Sequence, residues 1–143
     1  TYEENIHFLD FKNPKNFTKK IFRSAVSDII SKGGNPIVYF LSLSLKKLNN
    51  NWLKSFTSEL SSDSKKYHVF LGGGDTVKSK KNSISISVIG YIKKKPILRK
   101  NAKIGDDIYI TGDLGSSYLG LLVKLKKKSF GKYNKLFVTF IYF

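Results

Sequence analysis

Two stretches of the chain carry apolar residues at the three- and four-residue spacing of an amphipathic helix. The first follows Asn13-Pro14, where asparagine can cap a helix and proline suits its first turn, and it ends before Gly33-Gly34. The second follows Asn49–Asn51, which can supply a cap, and the polar run Ser61–Lys66 ends it. The two apolar stripes are Phe17, Ile21, Phe22, Ala25, Ile29 and Ile30, and Trp52, Leu53, Phe56 and Leu60.

Other segments have the patterns of β-strands. Ile37–Leu45 alternates, and its odd positions are apolar throughout, so we expect the face with Tyr39, Leu41 and Leu43 to be the better buried one. Tyr67–Leu71 is a short apolar strand, and Ser83–Ile92 alternates between serine and apolar residues, which predicts a strand with one polar face.

The C-terminal third predicts a short strand at Asp107–Thr111 and a helix over Ser116–Lys128. Tyr118, Leu119, Leu122 and Leu125 form the predicted inner side of this helix. Phe137–Phe143 is almost wholly apolar and has a high β tendency. Over the whole chain the predicted order is strand, helix, strand, helix, three strands and helix, which is typical of an α/β or α+β fold.

A run of three glycines followed by a carboxylate, Gly72-Gly73-Gly74-Asp75-Thr76, comes after the predicted strand Tyr67–Leu71. Glycines at a strand end let the backbone approach a ligand closely, and the adjacent Asp75 could hold a metal ion there. This combination favours a magnesium–nucleotide site, although glycine and aspartate also form ordinary turns. The phosphate-loop pattern Gly-x-x-x-x-Gly-Lys-Ser/Thr does not occur in the sequence.

Composition bounds the class of protein. The 143 residues suffice for one modest core, and without cysteine neither disulfides nor thiolate metal sites are available. The sequence contains no methionine, even at position 1, which we interpret as a sign of a fragment. No signal peptide is visible, and the apolar run Leu136–Phe143 is too short to span a bilayer, so we expect a cytoplasmic protein without a membrane partner.

The net charge of +16 raises the possibility of a basic module that binds RNA or DNA. Three observations disfavour nucleic acid as a partner. Of the 26 basic residues only Arg23 and Arg99 are arginine, the lysines are spread along the chain, and the joint excess of Lys, Asn and Ile is typical of AT-rich codons. Lys78, Lys80 and Lys81 are the lysines placed to attract a nucleotide.

Seven segments, taken in order and with their spacing, resemble the thiamine-monophosphate kinase family over residues 1–125. They are Asn5–Phe8, Ala25–Asp28, Gly33–Pro36, Leu41–Leu45, Trp52–Phe56, Leu71–Thr76 and Leu98–Asp106, the last continuing into Ile108–Gly112. The resemblance implies an aminoimidazole ribonucleotide synthetase-like α/β (α+β) fold with a mixed sheet and flanking helices. Residues 1–96 would be an ATP- and magnesium-binding N-terminal domain, incomplete at its N-terminus, and residues 97–143 an interdomain loop and the start of a second α/β domain.

The resemblance also implies an activity. Enzymes of this family transfer the γ-phosphoryl group of ATP to thiamine monophosphate, directly and in line, with several Mg²⁺ ions, and they work as homodimers that pair their N-terminal sheets. The alternative within the same superfamily is another ATP-using enzyme, similar to aminoimidazole ribonucleotide synthetase or selenophosphate synthetase. Because the family has further acidic ligands upstream of Thr1 and in the second domain, and 129–143 do not resemble the family, we expect the chain alone to have little or no kinase activity.

The resemblance assigns roles to individual residues. Asp28 and Asp75 match magnesium ligands, Gly74, Asp75 and Arg99 match ATP-binding positions, and His7 matches the histidine at the thiamine-phosphate site. From the residues alone, Asp28 lies beside an apolar stripe and either has a partner or points to water. Because arginine is so rare in this lysine-rich chain, Arg99 suggests a need for the planar fork of its guanidinium. The alternative is that Arg99 forms a surface salt bridge. His68, Lys103 and Asp106 are interpreted as structural.

Overall fold

The computed structural model describes residues 1–8, 11–110 and 112–139. The chain divides into two compact units, Thr1–Leu98 and Arg99–Phe143. The first contains β1 (Tyr2–Glu3), α1 (Pro14–Ile30), β2 (Asn35–Leu45), α2 (Asn50–Tyr67), β3 (Phe70–Lys78) and β4 (Ser83–Tyr91). The second contains α3 (Ser116–Lys124), α4 (Asn134–Thr139) and two short 3₁₀ turns, Arg99–Asn101 and Gly131–Tyr133.

The four strands of the first unit form one mixed sheet in the order β1-β4-β2-β3. β2 and β3 are parallel, as a strand–helix–strand connection requires, while β4 runs antiparallel to β2 and β1 antiparallel to β4. The predicted mixed sheet with flanking helices is therefore confirmed.

The core lies between this sheet and the two helices α1 and α2. The inward side chains of the helices meet the apolar face of β2, where Phe22 packs edge-on against Tyr39 with ring centroids 5.2 Å apart. The predicted inner face of β2 is confirmed at three of its five positions, whereas Ile37 at the start of the strand is 37% exposed. The buried apolar residues are Phe8, Phe17, Ile21, Phe22, Val26, Tyr39, Leu43, Leu45, Phe56, Leu60, Val69 and Ile84.

The two predicted helix starts are at the right positions, but they are capped differently. Asn49 caps α2, because its side-chain oxygen accepts a hydrogen bond from the Trp52 backbone N–H at 3.0 Å. Asn13 stands at the cap position of α1 without making such a bond, and Pro14 occupies the first turn. α1 ends at Ile30, and Gly33 follows with φ of +76°, close to where the sequence predicts the end.

The predicted end of α2 is wrong. The polar run Ser61–Lys66 is helical, and α2 continues to Tyr67 before His68 terminates it in the left-handed conformation, with φ of 55°. The helix persists because Asp63, in the middle of this run, is only 2% exposed and pairs with a residue of α1. The strand predicted to begin at Tyr67 therefore begins only at Phe70.

The second unit departs further from the prediction. Residues 107–110 form no strand, and Ile108 and Tyr109 are 93% and 88% exposed, so these apolar residues are not buried in a sheet; Thr111 lies outside the described residues. α3 ends at Lys124, four residues before the predicted end. Tyr118 and Leu125 were predicted to face inward, but they are 63% and 37% exposed. Phe137–Thr139, with its high β tendency, is part of α4, whereas 140–143 lie outside the described residues.

Among the described residues, no helix has both the length and the hydropathy needed to cross a membrane.

Candidate functional site

The glycine-rich stretch lies within a strand and not after one, which corrects the prediction. β3 runs from Phe70 through Asp75 to Lys78, and its register against β2 slips by one residue at Gly72. A β-carbon at Gly72 would lie 2.5 Å from Cγ2 of Val38, so the slip depends on glycine there. The bulge brings Asp75 opposite Ser42 of β2.

Gly74 is required by the packing of the two strands. A β-carbon at this position would lie 1.9 Å from the carbonyl oxygen of Leu41, well inside van der Waals contact. The sequence suggested that a ligand approaches the backbone closely at these glycines. At Gly74 the backbone of β2 makes such an approach. The predicted contact of Gly74 with ATP stays a prediction.

Substituting Gly74 with alanine is therefore expected to destabilise the chain by about 3 kcal/mol, because the added methyl group must push β3 away from the Leu41 carbonyl. Urea unfolding followed by circular dichroism would measure this change. Thr76→Ala is the matched control, since Thr76 is exposed on the same strand, and it should change the stability by less than about 1 kcal/mol. Equal stabilities of Gly74→Ala and the parent chain would contradict the close approach.

Asp75 belongs to a row of polar side chains that crosses the sheet. In register, Ser42 pairs with Asp75 on one side and with Ser85 on the other, and the hydroxyl groups of Ser85 and Thr1 are 2.6 Å apart. Asp75 is exposed, and one of its carboxylate oxygens accepts a hydrogen bond from the Thr76 backbone N–H at 2.7 Å. Its second oxygen can bind a cation, and such hard oxygen donors suit Mg²⁺.

The row lies on the face of the sheet opposite the core, which we call the open face. Its polar half consists of Ser42, Ser44, Asp75, Ser83, Ser85 and Ser87, with Val77 opposite Ser44 as an apolar exception. Its apolar half consists of Val38, Phe40, Phe70 and Ile89. Phe40, Phe70 and Ile89 are 42%, 59% and 54% exposed.

Asp28 occupies the last turn of α1 and is exposed, so its carboxylate points to water and not into the neighbouring apolar stripe. Its backbone carbonyl accepts a hydrogen bond from the Ser31 hydroxyl at 3.1 Å. In the described part of the chain, no hydrogen bond or ion pair joins Asp28 to Asp75, and no three acidic or histidine side chains are grouped to hold a metal ion. A shared magnesium site of Asp28 and Asp75 therefore stays a prediction.

His7 lies in the turn that follows β1, and its Nε2 has no hydrogen-bond partner among the described residues. Its Nδ1 accepts a hydrogen bond from the Glu3 backbone N–H at 3.0 Å, and its ring meets the ring of Tyr2 edge-on at 5.7 Å. The neutral imidazole therefore carries its proton on Nε2. This nitrogen can donate a hydrogen bond to a phosphate oxygen.

Arg99 begins the second unit, in a 3₁₀ turn, and is exposed. Within the described residues it makes no ion pair, so the alternative of a surface salt bridge is not observed. His68 has the structural role expected of it, because it closes α2. Lys103 and Asp106 also form a local turn, in which the Lys103 backbone N–H donates to the Asp106 carboxylate at 2.9 Å.

Sequence reasoning missed the contribution of Ser42 and Ser85 to this row. Both residues stand on strand faces whose alternation is visible in the sequence, and Ser83–Ile92 was expected to have one polar face. The missing information was the pairing, because only the register of β2 with β3 and β4 aligns these serines with Asp75.

Residues 1–92 match the sequence profile of the family described as "AIR synthase related protein, N-terminal domain". The chain belongs to this family, and the fold class predicted from its sequence is confirmed. It is 41% identical over 133 residues to the thiamine-monophosphate kinase of Buchnera aphidicola subsp. Acyrthosiphon pisum, a match that covers 92% of this chain and 41% of that protein. The chain thus spans about two-fifths of the length of this curated relative.

Solved structures agree with this assignment. The thiamine monophosphate kinase of Aquifex aeolicus superposes with a TM-score of 0.85 at 28% identity, over 96% of this chain and 47% of that one. A structure described as "AaThiL complexed with AMPPCP and TMP" superposes with a TM-score of 0.84 at 28% identity, over 95% of this chain and 44% of that one. The resemblance to thiamine-monophosphate kinases inferred from the sequence segments is confirmed.

Proposed function

We propose that this chain is the ATP- and magnesium-binding part of a thiamine-monophosphate kinase, which makes thiamine diphosphate and ADP from thiamine monophosphate and ATP. The observation that carries the proposal is the exposed carboxylate of Asp75 within a polar row, in a chain 41% identical to a kinase of that name. A solved structure of the same fold, described as a complex with AMPPCP and TMP, supports ATP and thiamine monophosphate as substrates. The use of ATP fits the predicted cytoplasmic location.

In the proposed site, Asp75 and Asp28 would hold Mg²⁺, and Gly74, Asp75 and Arg99 would contact ATP. The Thr76 N–H binds one oxygen of Asp75, which leaves the other oxygen as the donor that would bind the metal. Nε2 of His7 donates to the phosphate of thiamine monophosphate, the group that attacks the γ-phosphorus in line. When bound, the metal neutralises the charge on the transferred phosphoryl oxygens.

The 143-residue chain by itself is expected to show little or no turnover, because the resemblance assigns further acidic ligands to segments outside the sequence. Incubation with ATP, Mg²⁺ and thiamine monophosphate, followed by chromatographic detection of thiamine diphosphate, measures this. Turnover by the chain alone at the rate of a full-length relative would contradict the expectation.

A chimera tests the proposed substrate. Residues 1–125 of this chain replace the matched segment of the full-length Buchnera relative, which supplies the remaining segments. ADP formation is measured with thiamine monophosphate, with thiamine, and with the substrates of aminoimidazole ribonucleotide and selenophosphate synthetases. The proposal predicts ADP formation that depends on thiamine monophosphate. A folded chimera that turns over only with a synthetase substrate would instead support the alternative enzyme of the superfamily.

The open face supports a homodimer as part of the same proposal. β2 and β4 contain no lysine, although lysines are spread over the rest of the chain, and the apolar half of the open face leaves Phe40, Phe70 and Ile89 largely exposed. An apolar surface of this kind, free of charge and bordered by serines, is typical of a protein interface. A second copy of the chain, pairing sheet with sheet, would cover it.

Introducing charge on this face is expected to give a monomer. In the variant Phe40→Lys/Ile89→Lys, two ammonium groups per chain would have to be buried between the copies. Sedimentation velocity should show the mass of a dimer for the parent chain and of a monomer for the variant. Ile6→Lys/Leu48→Lys is the matched control, because these apolar residues are also exposed but lie outside the open face. A parent chain that is monomeric, or a variant that still dimerises, would contradict this interface.

A further inference from the structure

Ser42 stands in the middle of the polar row on the open face. β2 is hydrogen-bonded to β3 on one side and to β4 on the other, so the backbone of Ser42 is held from both sides. In register, Ser42 is opposite Asp75 on β3 and opposite Ser85 on β4. Directly opposed residues project from the same face of a sheet, with their β-carbons about 5 Å apart. The Ser42 hydroxyl and the Asp75 carboxylate are therefore neighbours on the open face.

The hydroxyl of Ser42 is available to a ligand. Ser42 is exposed, and its hydroxyl makes no hydrogen bond to any residue that the structure describes. The hydroxyl of Ser85, the next member of the row, is already within 2.6 Å of the Thr1 hydroxyl. One oxygen of Asp75 already accepts a hydrogen bond from the Thr76 backbone N–H. The row thus leaves the Ser42 hydroxyl and the second oxygen of Asp75 side by side.

The charge of the row suits a cation. Asp75 forms no ion pair with the residues that the structure describes, and the side chains beside it across the sheet contribute hydroxyl groups. A carboxylate beside hydroxyl oxygens is a set of hard donors, which favours Mg²⁺ over softer metals. Mg²⁺ keeps several of its waters when it binds to one or two carboxylates, so a hydroxyl next to the carboxylate can contact such a water.

We propose that Ser42 is a positioning residue of the site around Asp75, where its hydroxyl would accept a hydrogen bond from a water of the bound Mg²⁺ ion. A hydroxyl suits this role because it can accept from a water and keep its own proton for a second contact. Since β2 is an interior strand, the backbone that carries this hydroxyl is fixed before the ion binds. The role rests on the proposed function, because it takes Asp75 as a metal ligand.

Mn²⁺ binding to the chimera with the Buchnera relative tests this role without catalysis, because Mn²⁺ takes the same oxygen ligands as Mg²⁺. Electron paramagnetic resonance measures the affinity, and Asp75→Asn identifies the ion that depends on this carboxylate. Ser42→Ala should weaken the binding of that ion at least about fivefold, the effect of one lost hydrogen bond. Ser42→Thr keeps the hydroxyl on a side chain that suits a strand, and its affinity should stay within about twofold of the unmodified chimera.

The rates should show the same division. Ser42→Ala should raise the Mg²⁺ concentration for half-maximal thiamine diphosphate formation at least about fivefold, and leave kcat at saturating Mg²⁺ within about twofold. A general loss of folded protein would instead lower kcat at every Mg²⁺ concentration.

Ser87→Ala is the matched control, because it removes an exposed hydroxyl from the same face of the sheet, opposite Phe40 and away from Asp75. It should leave the Mn²⁺ affinity within about twofold. Circular dichroism establishes that each variant is folded. If Asp75→Asn weakens Mn²⁺ binding and Ser42→Ala does not, or if Ser87→Ala weakens it as much as Ser42→Ala, the role of Ser42 is overturned while the proposed function stands. Unchanged Mn²⁺ binding in Asp75→Asn, or no saturable binding to the folded chimera, would overturn both.

Discussion

Replacing Arg23 with leucine is expected to lower the free energy of unfolding by about 3–5 kcal/mol, a large share of the total stability of a small domain. The Arg23 guanidinium makes two parallel hydrogen bonds to the Asp63 carboxylate, Nε to Oδ2 at 2.9 Å and a terminal nitrogen to Oδ1 at 3.0 Å. Without it, an ionised carboxylate that is 2% exposed would remain between the two helices. Urea unfolding of the chain measures the loss.

Two comparisons make this prediction specific. Lys19→Leu removes a second ion pair between α1 and α2, Lys19 with Glu59 at 3.4 Å. Because this lysine is 31% exposed, the loss should cost less than about 1 kcal/mol. The double variant Arg23→Leu/Asp63→Leu should recover most of the loss, because no buried charge then remains. An Arg23→Leu chain as stable as Lys19→Leu would contradict this account of the helix pair.

The electrostatics of the pair favour the charged arginine. The hydrogen bond to Asp63 raises the pKa of Arg23 above its ordinary value, although partial burial of the guanidinium opposes this. Arg23 is thus charged at any pH at which the protein would be studied. Arg23→Leu should therefore destabilise the chain at neutral pH because the ion pair with Asp63 is lost.

The second large effect is expected at Asp75. In the chimera with the Buchnera relative, Asp75→Asn should lower the rate of thiamine diphosphate formation at least about 100-fold, because an amide in place of the carboxylate removes a charged oxygen ligand from Mg²⁺. The Mg²⁺ concentration for half-maximal rate should rise as well. Rates measured over a range of Mg²⁺ concentrations would separate weaker metal binding from a loss of folded protein.

Asp107→Asn is the matched control for this variant. Asp107 is an exposed carboxylate in the second unit with no role in the proposed site, and the substitution makes the same change of charge. It should retain the rate of the chimera within about twofold. A similar fall in both variants would point to net charge and not to metal ligation.

The elements that the sequence predicted well are those whose information is local. α1 and β4 follow from apolar periodicity, and the starts of both long helices follow from Asn–Pro and Asn-rich cap signals. The end of α2 was predicted wrongly because Asp63 is held by Arg23, 40 residues away, and no local pattern contains that contact. The strand predicted over 107–110 was wrong for the opposite reason. The local β tendency is present, but it does not supply a partner strand.

The candidate site shows the same division. The sequence identified Asp75 as a carboxylate of interest, but it explained the neighbouring glycines by a ligand, whereas Gly74 is required by the Leu41 carbonyl of β2. The rarity of arginine was used as evidence for a planar fork at Arg99. The structure shows such a fork at Arg23, in a structural role, so rarity of a residue type indicates a special contact without saying whether it is functional.

The rate of thiamine diphosphate formation by the chimera, measured beside its Asp75→Asn and Asp107→Asn variants, tests the central claim most directly. The proposed function predicts product from the chimera and from Asp107→Asn, and almost none from a folded Asp75→Asn protein. Turnover by Asp75→Asn at the rate of the unmodified chimera would contradict the assignment of Asp75 to a magnesium–ATP site.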